Sequence, residues 1–209
     1  MTDHLGEHPA HLPRQRMWKV RAGQTVLAQG AHERPLVFSG NDLPGVMLSG
    51  AVRSYITRYG VVPGNRTVVF TNNDDAYRTA LALHGAGAHV VVVDLRRDLK
   101  GELVKAVRAA GIEVMSGSAV TIAAGTQRIA RVEISPVNEG ATQVLDDPIH
   151  MDCDLLAMSG GLTPAVHLHS QARGKLGWDD QQLCFKPTTV HEASFNAGAG
   201  NGVFAADKA

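Results

Sequence analysis

The run Thr67-Val68-Val69-Phe70-Thr71-Asn72-Asn73-Asp74-Asp75-Ala76, with its continuation to Ala88-His89-Val90-Val91-Val92-Val93-Asp94, decides the fold class. Residues 67–71 are a compact strand and residues 76–83 carry a helical pattern. Residues 88–94 form a strand apolar on both faces, with an acid at its tip. Strand, helix and strand in this order make one βαβ unit, the building block of an α/β fold. In such a unit the first turn normally carries G-x-G-x-x-G, so that amides at the helix N-terminus cradle a pyrophosphate. Here Thr71–Ala76 contains no glycine and two carboxylates, which oppose a phosphate by charge while Asn73 and Ala76 crowd it. The unit is therefore read as scaffold. Asp94 stands where a ribose-binding acid would, but without the glycines it does not outweigh that reading.

Toward the C-terminus, residues 103–110 read as a helix capped by Gly111, and residues 112–115 as the next strand. Residues 119–123 and 129–135 alternate as an antiparallel pair joined through Gly125, followed by a polar loop over 138–148. Residues 152–158 (DCDLLAM) read as one strand that stops at Ser159-Gly160-Gly161, with Pro164 at a helix start and its first turns at 165–170. Residues 174–185 read as loop and edge strand. Residues 195–205 are glycine-dense and end without a folded stop, as a truncated chain would.

Toward the N-terminus, residues 51–59 form a short amphipathic helix broken by Pro63-Gly64, and the domain crossing is placed near residue 48. Residues 17–20 and 25–28 read as a hairpin, or at least as two strands, on either side of Ala22-Gly23-Gln24, and residues 1–15 as loop or as the cut end of something longer. The second of these strands runs into Ala28-Gln29-Gly30-Ala31, a small-residue turn followed at once by Arg34-Pro35. Such a turn either lets the backbone pass close to a cofactor or is an ordinary tight turn. Ser159-Gly160-Gly161 repeats the pattern, and two strand-to-glycine turns in one chain are harder to dismiss than one.

Composition narrows the function. Lysine plus arginine equals aspartate plus glutamate at 20 each, which points to neither a nucleic-acid nor a membrane surface. No apolar run approaches the roughly 20 residues that span a bilayer. Cys153 and Cys184 form no CxxC pair, so neither zinc nor a disulfide framework is expected and a reducing cytoplasm fits. His167 and His169 diverge if the chain is helical there, so no metal site is expected. His32 and Glu33 read as solvated loop, while Arg34 is a candidate partner for a phosphate or ribose. Ser170 and Ser194 lack a nucleophile-elbow pattern, and no catalytic residue is assigned.

The segments VLAQGAHERPLVFSGNDLPGVM, TNNDDAYRTALALHGAGAHVVVVD and DLLAMSGGLTPAVHLHSQARGKLGWDD, in that order, resemble the alpha subunits of heterotetrameric sarcosine oxidases. The resemblance implies a Rossmann-like FAD/NAD(P)-binding fold in which one βαβ domain is inserted into a second, incomplete one. Residues 1–48 and 151–209 then form the first dinucleotide-binding domain, lacking its G-x-G-x-x-G, and 49–150 the inserted one with the degenerate turn. It implies non-covalent NAD against Ala28, Gln29, Gly30 and Ala31, with Arg34, and against Ser159, Gly160, Gly161, Leu162 and Thr163. Such subunits usually carry threonine where this chain has Gln29. The complete enzyme converts sarcosine to glycine with formaldehyde or methylene-tetrahydrofolate and hydrogen peroxide. Its FAD, FMN and tetrahydrofolate, and its beta, gamma and delta subunits, lie outside this segment. Two other readings stand beside it: one component of an FAD/NAD-dependent amine or opine dehydrogenase, and a non-catalytic assembly module.

Overall fold

The computed structural model describes residues 10–204, Gly6 and the backbone of residues 2–4. The remaining N-terminal positions of the expected loop, and residue 205 of the glycine-dense run, lie outside the described residues. In chain order the first strands are β1 (Thr2–His4), β2 (Gln15–Met17), β3 (Thr25–Leu27), β4 (Ala31–Glu33) and β5 (Val46–Leu48). Helix α1 (Ser49–Tyr59), β6 (Arg66–Thr71), α2 (Asp75–Gly85), β7 (His89–Asp94), α3 (Glu102–Ala109) and β8 (Glu113–Ser116) follow. Next come β9 (Ser118–Gly125), β10 (Ile129–Pro136), β11 (Ile149–Asp152), β12 (Leu155–Ser159) and β13 (Leu162–Pro164). The chain continues through α4 (His167–Gln171), β14 (Lys175–Asp179), β15 (Cys184–Thr189), β16 (Ser194–Asn196) and a 3-10 turn, Gly198–Asn201.

By its contacts the chain divides into two units, one continuous (His32–Thr163) and one made of Met1–Ala31 with Pro164–Ala209. The resemblance implies boundaries near 48 and 151, whereas the junctions between these units lie at 31/32 and 163/164. The reason is strand pairing. β5 and β12 are hydrogen-bonded to each other, and β12 also to β6, so both belong to the sheet of the continuous unit.

That sheet has the order β5-β12-β6-β7-β8, and every pairing in it is parallel. Alternate residues of each strand point to opposite faces. Val69, Val90 and Val92 pack against Val52 of α1, Tyr77, Ala80 and Leu83 of α2, and Val104 and Val107 of α3. Val68, Phe70 and Val93 face the other way, onto Val120, Val132 and Ile134 of the antiparallel sheet β11-β10-β9. Helices, parallel sheet and antiparallel sheet thus form three layers, which is why the central strands are apolar without alternation. Each fully buried valine or leucine contributes about 1.5–3 kcal/mol of transfer free energy.

The expected single strand over 152–158 is two. The Cys153 amide donates to Ala130 O of β10 while the Asp154 carboxylate accepts from Asn65 N and Arg66 N at the start of β6, so the chain changes sheets there. The expected hairpin over 17–28 is also replaced. β2 pairs with β1 and β3 with β16, whereas the loop-and-edge reading of 174–185 gives way to the antiparallel hairpin β14-β15.

Candidate functional site

In the discontinuous unit β3 and β16 are parallel, with Phe195 opposite Val26 and Asn196 opposite Leu27, so both strands end at one edge. β3 runs into Ala28-Gln29-Gly30 and β16 into Ala197 and the 3-10 turn, tied by Ala197 N donating to Leu27 O at 3.0 Å. Gly30 has φ +76°, and nothing lies within 4 Å of the position its Cβ would take. Glycine there serves the backbone conformation and leaves one face of the main chain bare. Gly200 packs against the same turn: a Cβ on it would sit 3.5 Å from Gly30 O and 3.6 Å from Gln29 N.

Helix α4 fixes the polar groups beside these turns. Gln29 Oε1 accepts from Leu168 N at 3.3 Å. His169 is 1 % exposed, its Nε2 is 3.0 Å from Lys175 O, and its Nδ1 is 2.9 Å from Asn196 Nδ2. A carbonyl only accepts, so Nε2 carries the proton and Nδ1 accepts from the Asn196 amide. Gly174 gives the ring its room, since a Cβ there would fall 2.2 Å from His169 Nε2. Gln29 Nε2 and Asn196 Oδ1 are then left buried without a hydrogen-bond partner. An unmet buried polar atom costs about 1–3 kcal/mol.

The site residues expected from the sequence divide between the units. Ala28, Gln29, Gly30 and Ala31 lie in the discontinuous unit; Arg34, Ser159, Gly160, Gly161, Leu162 and Thr163 lie in the continuous one. There Arg34 N donates to Gly161 O at 2.8 Å and Gly160 N to Arg34 O at 2.7 Å. A Cβ on Gly160 would stand 3.0 Å from the carbonyl oxygens of Arg34 and Pro35, and one on Gly161 2.9 Å from Arg34 Nη2. These glycines make room for the Arg34-Pro35 segment. Ser159 is buried, and its carbonyl and hydroxyl both accept from Asn73 Nδ2 at 3.1 Å. Leu162 and Thr163 are half-buried in β13.

The βαβ turn of the continuous unit is closed by its own side chains. Thr71 Oγ1 accepts from Asn73 N at 3.0 Å and Asn73 Oδ1 from Asp75 N at 3.1 Å, which occupies amides that would otherwise face an anion. Asp94 is fully buried and accepts from Tyr77 Oη at 2.9 Å, Arg96 N at 2.9 Å and Arg96 Nη2 at 2.8 Å. Arg96 Nη1 lies 2.8 Å from Asp74 Oδ1, so one guanidinium bridges the ends of β6 and β7 where a ribose would be sought. Burial, then the Asp94 carboxylate, pushes the Tyr77 hydroxyl above its ordinary range. For Arg96 burial acts downward, and the hydrogen bonds to Asp94 and Asp74 outweigh it.

Glu33 is not solvated loop. Its Oε2 accepts from Gly50 N at 2.8 Å and caps α1, whose N-cap position is occupied by Leu48 with no side-chain bond to offer. His167 is exposed and His169 buried. Among the described residues no group of three or more His, Cys, Asp or Glu converges as a metal site, and no helix is long and apolar enough to cross a membrane. Asn196, His169 and residues 197–202 stand beside these turns without having been expected there. The glycine density of 198–202 was the available signal, whereas nothing local marks Asn196 or His169.

No protein-family model matches the chain. The fold is shared with a thioredoxin reductase from T. acidophilum, which superposes with a TM-score of 0.64 at 15% identity, covering 84% of this chain and 57% of that one. In sequence the chain is similar to sarcosine oxidase alpha subunits. It is 42% identical to the sarcosine oxidase alpha subunit of Corynebacterium sp. (strain P-1) over 97% of its own length and 21% of the relative's. An opine oxidase subunit from Agrobacterium tumefaciens (strain Ach5) is more distant, 24% identical over 91% of this chain and 41% of its own length. The chain thus spans about a fifth of the sarcosine oxidase subunit it matches.

Proposed function

We propose that this chain is the nucleotide-binding portion of a sarcosine oxidase alpha subunit, holding NAD non-covalently where β3 and β16 end. The observation that carries this is the pair of parallel strands running out at one edge into glycine turns, the place where α/β sheets bind ligands. The groups present fit a dinucleotide. Gly30 leaves main chain open to close approach, Gln29 Nε2 is a buried donor in want of an acceptor, and Asp179 is neutralised by Lys186, whose side chain lies against Gly202. Ala28, Gln29, Gly30 and Ala31 would hold the cofactor together with residues 197–202, while Arg34 and Ser159–Thr163 are read as frame. Bound NAD supplies a nicotinamide ring that accepts hydride. The residues of this chain bind and orient, and none of them is assigned an acid or base role.

In the whole enzyme, oxidation of the N-methyl group of sarcosine by oxygen with water yields glycine, formaldehyde and hydrogen peroxide. We place that chemistry at flavins held by other segments, with beta, gamma and delta subunits as partners. That the relative is itself named as one subunit of an oxidase supports a complex. The test is to purify the complete subunit with its partners, denature it with acid and quantify released NAD alongside sarcosine-dependent peroxide. Peroxide formation and about one NAD per alpha subunit are expected. A complex with neither overturns the proposal.

A further inference from the structure

Two side-chain amides beside the glycine turns, Gln29 and Asn196, are each oriented by a main-chain group, Asn196 through the ring of His169. The Leu168 N–H can only donate, so it holds Gln29 Oε1 and turns Nε2 away. The Lys175 carbonyl can only accept, so it takes the proton-bearing Nε2 of His169, whose bare Nδ1 in turn takes Asn196 Nδ2 and turns Oδ1 away. The leftover atoms are one donor and one acceptor, both buried and both without a partner. They are also neighbours in the fold: Asn196 is paired with Leu27, two residues before Gln29, and their anchors are the consecutive residues Leu168 and His169.

We infer that Gln29 and Asn196 are the specificity-determining pair of this site, Gln29 Nε2 donating to the bound dinucleotide and Asn196 Oδ1 accepting from it. The inference rests on the nucleotide reading above. A ribose hydroxyl or a carboxamide can serve both atoms, since each donates and accepts. A bare phosphate oxygen serves only the first.

Calorimetry with NAD on the complete subunit, stripped of nucleotide, tests this with Gln29→Glu, Gln29→Leu and Asn196→Ala. Glutamate keeps Oε1 for Leu168 N but presents an oxygen where Nε2 stood; leucine loses both. A donor to the ligand therefore predicts that Gln29→Glu binds at least about tenfold more weakly than wild type and is the weaker of the two variants. A residue that merely holds α4 predicts the reverse order, which overturns the inference. Asn196→Ala is expected to weaken binding several-fold with the melting temperature of the complex followed as a folding control. If wild type binds NAD and every folded variant binds within twofold of it, the amides meet only water and the inference fails while the nucleotide reading stands. If wild type itself binds none, it is the nucleotide reading that fails.

Discussion

Arg96 shows how a single residue can close a site. Its guanidinium answers a fully buried carboxylate, Asp94, and a second one, Asp74, across the turn where other dinucleotide folds keep glycine. Removing one partner of a buried pair costs more than the pair is worth, because the remaining charge cannot be hydrated. Arg96→Leu is therefore expected to destabilise the protein by about 3–5 kcal/mol in urea unfolding, with much of the loss recovered in Arg96→Leu/Asp94→Asn. A loss under about 1 kcal/mol would mean that Asp94 finds water instead. Cys153 makes a second prediction at this scale. Burial pushes its thiol up to about 12 from 9.0. The unfolded chain then ionises first as pH rises, so stability is unaffected below pH 9 and falls progressively between pH 9 and 12. At about 1.4 kcal/mol per unit the loss reaches up to ~4 kcal/mol, and Cys153→Val should remove that slope from an alkaline denaturation series. Neither role is legible in the sequence. The strand pattern does place Asp94 at a strand tip, but its saturation depends on Tyr77 and Arg96 folding onto it.

At the scale of elements, the helices were legible because their pattern is local. Ala76, Tyr77, Ala80 and Leu83 lie on one face of α2 and all are buried. Their caps were not. α1 starts at Leu48 and Ser49 with no acid in its first turn, and its N-terminal amide at Gly50 is met by Glu33, seventeen positions away. Glu33→Ala is expected to cost about 0.5–2 kcal/mol, and Glu33→Gln less, since an amide oxygen still accepts. Equal losses would indicate that charge at the helix end dominates. The β9–β10 turn is a contrasting case, in which Gly125 marks the turn in sequence and in structure alike. A Cβ there would fall 1.8 Å from Arg128 O. Gly125→Ala should therefore force the turn open, lowering the melting temperature and amide protection along β9 and β10 in hydrogen exchange. The break between β11 and β12 is not visible in the sequence because DCDLLAM carries no glycine or proline to mark it. Only its partners, Ala130 on one side and Asn65 and Arg66 on the other, divide it.

At the scale of the whole molecule the two units differ in what holds them. Both hydrophobic cores lie within His32–Thr163, whereas the discontinuous unit leaves Trp178, Phe185, Phe195 and Val26 each more than half exposed. A polypeptide of residues 32–163 is therefore expected to fold alone with a single cooperative urea transition, and residues 164–204 of the 209-residue chain to be cleaved first in limited proteolysis. Cleavage beginning inside 66–94 would contradict this. The α/β class, the βαβ order and the glycine turn at 28–31 were determined by the sequence alone, because periodicity and glycine chemistry act over a few residues. Tertiary structure decided which strands share a sheet, and so moved the junctions to 31/32 and 163/164. It also separated glycines that face open space, as Gly30 does, from those filled by the chain itself, as Gly160 and Gly161 are. The polar frame of the site likewise emerged only there, since Gln29 and its partner Leu168 stand 139 positions apart and no local pattern records a contact over that distance.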